Sequence, residues 1–485
     1  MSVAASLVKV RDRLPSAYSV LRIVVPAGLG YMLGVVILNP HHRMIEILVG
    51  FFIAAAAILL KPARAIAVFI VIFLFPAGLS IGTSNNVFIL ILVSTWIAQQ
   101  TLAGEKITLK TPLDLPIITL SAAYLISLVN VPHGLYGINA RGLGVYFTAV
   151  AIYYMVVSLT PDVAAIRRLL FAGAIGAALM AAQALLEIFL PNKQLLPYFF
   201  ISSQVHLEKG VVRAGSGFRI VSLFAQYCIF YLMLGIFLFT HEKRRGTRFA
   251  IALLLLGILI SFVSTAMRGA MMAGAIGLLF LLWRGGVVFD RKKILVGIVV
   301  IMLGFLVLHQ VLSGAGFVPN VWERFSQLEQ RTGSHIDRGK VMREVFTRGM
   351  EHPFIGHGPV VWLPHGFTAT GSNNPHGQYG LYFYTLGFLG LGAFLWLMVD
   401  LFRVSTQALR LGSKNNFLVG LMVIFQTFLV IFVLHETVDD YSSSFNYPLF
   451  MWYFFGLIVA TRNVLLKEAA AAGSNNAGRS GSRRI

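Results

Sequence analysis

The residues that invite chemistry in this chain are cations. Arg213 lies in VVRAGSGF, Arg268 in STAMRGAMMAG, and Arg338 near the start of DRGKVMREVFTRGMEH. A guanidinium stays charged at any ordinary pH and holds a phosphate through two parallel hydrogen bonds. Several around one point make a clamp for a diphosphate, and such a clamp neutralises the charge that develops as a diphosphate departs. Gly269 beside Arg268, and the two glycines after Arg213, let backbone or ligand come close. Arg219, Lys340 and Arg343 are near neighbours suited to the same role. The plainer readings are an arginine snorkelling to an interface at Arg268 and ordinary loop cations elsewhere.

A proton acceptor is the second requirement of a transfer reaction. His376 opens HGQYGLYFYTLGFLGLG, where a polar, glycine-rich stretch runs into an apolar one. Histidine changes charge near neutral pH and can take a proton from an attacking hydroxyl. His352, His357 and His365 compete for that role, and an interfacial histidine that only bonds backbone is the alternative. The spacing of these histidines fits no familiar zinc pattern, so no metal and no cofactor are expected. Glu436, Asp439 and Asp440 could bind acceptor hydroxyls, although a solvated loop is the simpler expectation for them.

The elements that must position these groups follow from composition. The 485 residues are 57% hydrophobic and 12% charged, with a mean hydropathy of +0.78. Soluble domains carry about 25% charged residues, which excludes a water-soluble enzyme, and such hydrophobicity excludes a disordered chain. Cys228 is the single cysteine, so neither a disulfide framework nor a cysteine-based metal site is available. Apolar runs fall near 20–38, 44–60, 65–80, 86–102, 113–130, 143–158, 168–190, 220–240, 249–266, 269–284, 294–312, 377–402, 416–435 and 445–462. Lipid offers no partner to an unpaired backbone group, so each must be a helix. The expected fold is all-α and polytopic, with about fourteen transmembrane helices and a range of twelve to fourteen. Residues 1–466 would form one membrane domain, with outer loops at 191–219 and 313–376. Residues 467–485, small, polar and basic, read as a disordered tail.

Loop charge orients the spans. With the N-terminus in the cytoplasm every inside segment is basic, from Lys9, Arg11 and Arg13 through Lys243, Arg244 and Arg245 to Arg483 and Arg484. Both termini are then cytoplasmic, and the first apolar run, lacking a convincing cleavage site, reads as a true span. The net charge of +20 is accounted for by the membrane rather than by nucleic acid. Arg213, Arg268 and Arg338 stand outside, against the rule. Long loops escape it, but the turn at Arg268 is almost absent. In the loop 313–376, Ser334 three residues before Asp337 is a weak variant of a capping box. Val341, Val345 and Met350 then fall near one face with Phe346 beside it, Lys340, Arg343 and Thr347 fall on another, and Pro353 stops the helix. This is a short basic amphipathic helix of the kind that lies on a membrane surface.

The order of these pieces resembles the bacterial O-antigen ligase/polymerase superfamily. VVRAGSGF is similar to its arginine-glycine segment before a span, STAMRGA to its Ser-X-X-Arg-Gly-Ala type turn, HPFIGHGP to its His-Pro-X-X-Gly-X-Gly segment, and HGQYGLYFYTLGFLGLG to the aromatic helix start that ends in Gly-X-X-Gly. The match spans roughly 210–395; Gly377 stands where the family often has Asn or Ser, and Met267 where it often has Ser. The resemblance implies a GT-C-type fold in the bacterial inner membrane and an active site facing the periplasm. It implies that Arg213, Arg268 and Arg338 hold the diphosphate of an undecaprenyl-diphosphate-linked glycan, and that His376 acts on an acceptor hydroxyl. The acceptor would be another lipid-linked repeat unit or lipid A–core, with a polymerase slightly favoured over a ligase. The partners would be that donor, the acceptor, the lipid bilayer and other polysaccharide assembly proteins. A transporter of a glycolipid or small anion is the rival class, and would show ionisable residues or broken helices near the middle of the membrane.

Overall fold

The computed structural model describes residues 62–73, 82–102, 104, 110–190, 206–208, 211–218, 220–286, 291–326, 332–361, 377–411, 415–439 and 447–481. Among them the chain is helical apart from one short hairpin. The helices are α1 (Pro62–Phe73), α2 (Gly82–Leu102), α3 (Asp114–Ile126), α4 (Tyr136–Leu159), α5 (Val163–Phe189), α6 (Val221–His241) and α7 (Arg245–Thr265). They continue with α8 (Arg268–Gly285), α9 (Arg291–Gly314), α10 (Val321–Ser326), α11 (Thr332–Gly349), α12 (Gln378–Arg410), α13 (Asn416–His435) and α14 (Tyr447–Gly481). Strands β1 (His206–Glu208) and β2 (Val211–Arg213) pair antiparallel, with His206 opposite Arg213.

Eight of these helices are long and apolar enough to cross a membrane, which makes the chain a polytopic membrane protein. The apolar runs expected at 20–38 and 44–60 lie outside the described residues, as does 74–80 of the run at 65–80; the described parts of the others each fall on a helix. The centre is α6, 94% buried along its apolar window, with α14 at 83% and α13 at 78%. Their aromatic rings interlock. Phe230 of α6 lies 4.7 Å from Phe428 and 5.3 Å from Phe454, and Phe428 lies 5.0 Å from Phe454. Such edge-on and tilted pairs add to the attraction of burial alone. At the periphery, α9 is only 17% buried; Val296, Val300, Val307 and Val311 point outward, a face suited to lipid.

The two ends of the bundle differ. At one, Arg167 lies over the ring of Phe417 at 4.4 Å and Arg248 over Phe239 at 4.6 Å. Asn415 donates to Glu468 at 2.9 Å and Lys467 to the carbonyl of Pro161 at 3.4 Å. The basic connections thus gather together. At the other end lie the C-termini of α5, α7 and α13 and the N-termini of α6, α8, α12 and α14. The last helix extends past its apolar run, to Gly481; just beyond that run Glu468 precedes four alanines, the strongest helix formers.

Helix α8 buries small residues, Ala270, Ala273, Gly274 and Gly277, with Gly274 facing Ile229 of α6 and Gly277 facing α13. A Cβ on Gly277 would collide with Ile431. In a membrane, where lipid tails are as apolar as leucine, this close packing is what drives helices together. Gly297 on α9 has open space around it. Gly277→Leu should therefore lower stability by about 1–3 kcal/mol or more, whereas Gly297→Leu should be neutral or slightly stabilising. Thermal denaturation of the two variants in one detergent checks the contrast.

Candidate functional site

Beyond Arg213 the chain turns inward. Ala214 and Ser216 are fully buried, and Ser216 holds φ at +45°, a left-handed backbone uncommon outside glycine. Its hydroxyl donates to the carbonyl of Met180 at 2.8 Å. Glu187, buried in the last turn of α5, accepts from the amides of Gly215 at 3.2 Å and Ser216 at 3.1 Å. Arg213 is thereby aimed at the α7–α8 turn. Its Nε donates to the carbonyl of Thr265 at 2.9 Å and its Nη2 to the sulfur of Met267 at 2.7 Å. Thr265 ends α7, Ala266 turns the chain at φ +46°, and Arg268 begins α8. A carbonyl at a helix C-terminus has lost its helical partner, and an arginine is a natural donor to it. The two arginine motifs, far apart in sequence, meet here.

Helix α12 is broken. Gly387 sits at φ +66° and ψ −165°, and the helical hydrogen bonds lapse around it. The segment HPFIGHGP supplies replacements. The amide of Phe388 donates to the carbonyl of Pro353 at 2.7 Å and that of Leu389 to Phe354 at 3.2 Å. In return, the carbonyls of Tyr384 and Thr385 accept from the amides of His357 and Gly358, each at 3.0 Å. A Cβ on Gly387 would strike the backbone of Phe354 and Ile355, and one on Gly356, at φ +68°, would strike that of Thr385. Asn130 donates to the carbonyl of Gly356 at 2.7 Å, and Asn139 accepts from the amide of Val360 at 3.0 Å. His357 belongs to this splint. Its ring stacks on Tyr384 with centroids 4.4 Å apart, and its Nδ1 lies 3.2 Å from the Tyr384 carbonyl.

The expected amphipathic helix is present as α11, starting earlier than anticipated. Val341 and Val345 are buried against Tyr384 and Val361. Met350 and Phe346 are exposed instead, because the buried stripe continues to Gly349, where a Cβ would meet Phe383, and Met350 falls past the helix end. Lys340 and Arg343 are exposed, and Arg348 pairs with Glu344 at 2.6 Å. The backbone of Arg338 lies in α11; its side chain, together with His376, Arg219, His365 and Asp440, lies outside the described residues.

The start of α12 is held by the turn after α13. The amide of Gln378 donates to the carbonyls of Glu436 at 2.9 Å and Asp439 at 3.0 Å. Glu436 is fully buried and Asp439 nearly so. The solvated loop expected there is, at Glu436 and Asp439, a packed turn, because its carbonyls serve the first amide of a helix, which has no partner within that helix. On one side, Val438 lies 3.2 Å from where a Cβ on Gly269 would sit, next to Arg268. On the other, Thr437 and Met342 each lie 3.1 Å from the corresponding point on Gly377. Met342 is one helical turn along α11 from Arg338. The segments carrying Arg213, Arg268 and Arg338, and the residue following His376, thus converge at the end of the bundle away from the basic loops. Among the described residues no three His, Cys, Asp or Glu side chains gather as metal ligands do.

Gly387→Ala and Gly356→Ala should each cost about 3 kcal/mol or more, from a strained φ and a backbone collision. Asn130→Ala should cost about 1 kcal/mol. Melting temperatures, with limited proteolysis at 353–361, report both. Compared with models of known protein families and with curated proteins, the chain matches none.

Proposed function

We propose that the chain is a periplasm-facing glycosyltransferase of the bacterial inner membrane, of the O-antigen ligase/polymerase type. It would have about fourteen spans in a GT-C-type arrangement and both termini in the cytoplasm. The observation that carries this reading is the convergence of the arginine-bearing segments with the start of α12. A cluster of guanidinium groups beside a helix start is suited to a diphosphate. In the proposed reaction, Arg213, Arg268 and Arg338 hold the diphosphate of an undecaprenyl-linked glycan. An acceptor sugar hydroxyl attacks the anomeric carbon, the bond from that carbon to the diphosphate oxygen breaks, and His376 takes the hydroxyl proton. Undecaprenyl diphosphate leaves with both electrons of the broken bond, its charge held by the arginines. Arg213, tied to Thr265 and Met267, also fixes where Arg268 stands.

A polymerase, adding to another lipid-linked repeat unit, is slightly favoured over a ligase acting on lipid A–core. One observation favours the rival transporter reading: α12 is discontinuous at Gly387, and broken helices mark many transport sites. Here the break is filled by the backbone of 353–358, which leaves it poorly suited to a substrate.

The test is purified protein given an undecaprenyl-diphosphate-linked oligosaccharide with either acceptor, in EDTA. A ladder of longer lipid-linked glycans is expected, falling roughly a hundredfold or more in His376→Ala and Arg268→Ala. A single shift of the lipid A–core band would make the protein a ligase. Absence of product with intact, folded protein, joined by flux of the glycolipid across proteoliposomes, would establish the transporter instead.

A further inference from the structure

Glu187 has no place in the reaction just described. It is a carboxylate 4% exposed near the end of a largely apolar helix. Burying such a group is costly unless its charge is answered. Here the answer includes two successive backbone amides, Gly215 at 3.2 Å and Ser216 at 3.1 Å, on one carboxylate oxygen. Gln183, one helical turn back, lies 3.4 Å from the other oxygen. Successive amides around a left-handed residue form a concave nest for an anion, and Ser216 at φ +45° is that residue. The site is built from both sides, since the Ser216 hydroxyl is tied to Met180 on the same helix at 2.8 Å.

We infer that Glu187 is a positioning residue for the arginine pair: it holds the backbone turn that aims Arg213, and Arg213 in turn sets the α7–α8 turn from which Arg268 starts. The links are in place: the amides of Gly215 and Ser216 donate to Glu187, and the Arg213 Nε donates to the Thr265 carbonyl at 2.9 Å, with Nη2 against the Met267 sulfur. The consequence for the ligand rests on the proposed diphosphate reading; the linkage from Glu187 to the α7–α8 turn does not. An ionised oxygen makes shorter, stronger bonds to two amides than a neutral one. Glutamine keeps the shape and one acceptor oxygen, aspartate keeps the charge but loses a methylene of reach, and alanine leaves two buried amides without an acceptor.

The test uses full-length protein in lipid nanodiscs and two readouts, amide hydrogen exchange and the affinity for inorganic pyrophosphate. Glu187→Ala should speed exchange at 214–218 and also at 265–270 by about tenfold or more, and weaken pyrophosphate binding about tenfold. Glu187→Gln should restore both to within about threefold of wild type, and Glu187→Asp should fall between. Arg213→Ala should speed exchange at 265–270 alone. Exchange at 265–270 that stays at the wild-type rate in the alanine variant overturns the inference, as does unchanged pyrophosphate affinity. If the alanine variant does not fold, the aspartate variant decides in the same way. Wild-type protein that ignores pyrophosphate refutes the diphosphate reading, while the exchange rates still decide the role of Glu187.

Discussion

A helix within a membrane cannot be broken unless something replaces the hydrogen bonds it loses. That constraint organises this molecule around Gly387. The halves of α12 meet there, and four backbone bonds from the 353–358 segment restore what the break removes. The same segment is anchored to the end of α3 through Asn130 and to α4 through Asn139. Because α11 runs directly into it, the position of that basic helix is inherited from the repair of α12. The burial of Val341 and Val345 against Tyr384 completes the seat.

The cations at this end of the bundle are held by a related logic. Arg213 closes a strand, and Arg268 opens a helix immediately after a left-handed turn. Neither depends on a long flexible loop, because backbone carbonyls and amides at the ends of helices serve as fixed attachment points. Buried acids complete the arrangement. Glu187 holds the 215–216 turn, and Glu436 and Asp439 belong to the turn whose carbonyls receive the first amide of α12. Rigid placement of charge of this kind is what an anion-binding site requires.

Much of this was legible from residues alone. Apolar runs mark the spans, since their signal is local and strong. The arginines were conspicuous because they break the charge pattern of the loops. What could not be read was partnership across distance. Glu187 looks like an acid near a span end, and its partners lie 28 and 29 residues further on. Glu436 and Asp439 look solvated because polarity suggests water, whereas the amide of Gln378 claims their carbonyls. Gly387 is legible as a member of a glycine pattern, but a glycine does not announce whether it packs or bends. HPFIGHGP stood out by its residue types, and its use as a splint depends on a φ value the letters do not carry. His376 remains a sequence-based choice, lying outside the described residues.

The bonds that anchor the splint are long in sequence. Asn130 and Gly356 are 226 residues apart, and Asn139 and Val360 are 221 apart. A ribosome takes on the order of ten seconds or more to cover such a gap. The two asparagines are therefore finished early and wait. They sit near helix ends, Asn130 just after α3 and Asn139 in the first turn of α4, where water can serve them meanwhile. The broken helix arrives later, when these two anchors are already made. A discontinuity that would be hard to insert alone becomes tolerable because the order of synthesis places the splint and its two asparagine anchors before the break.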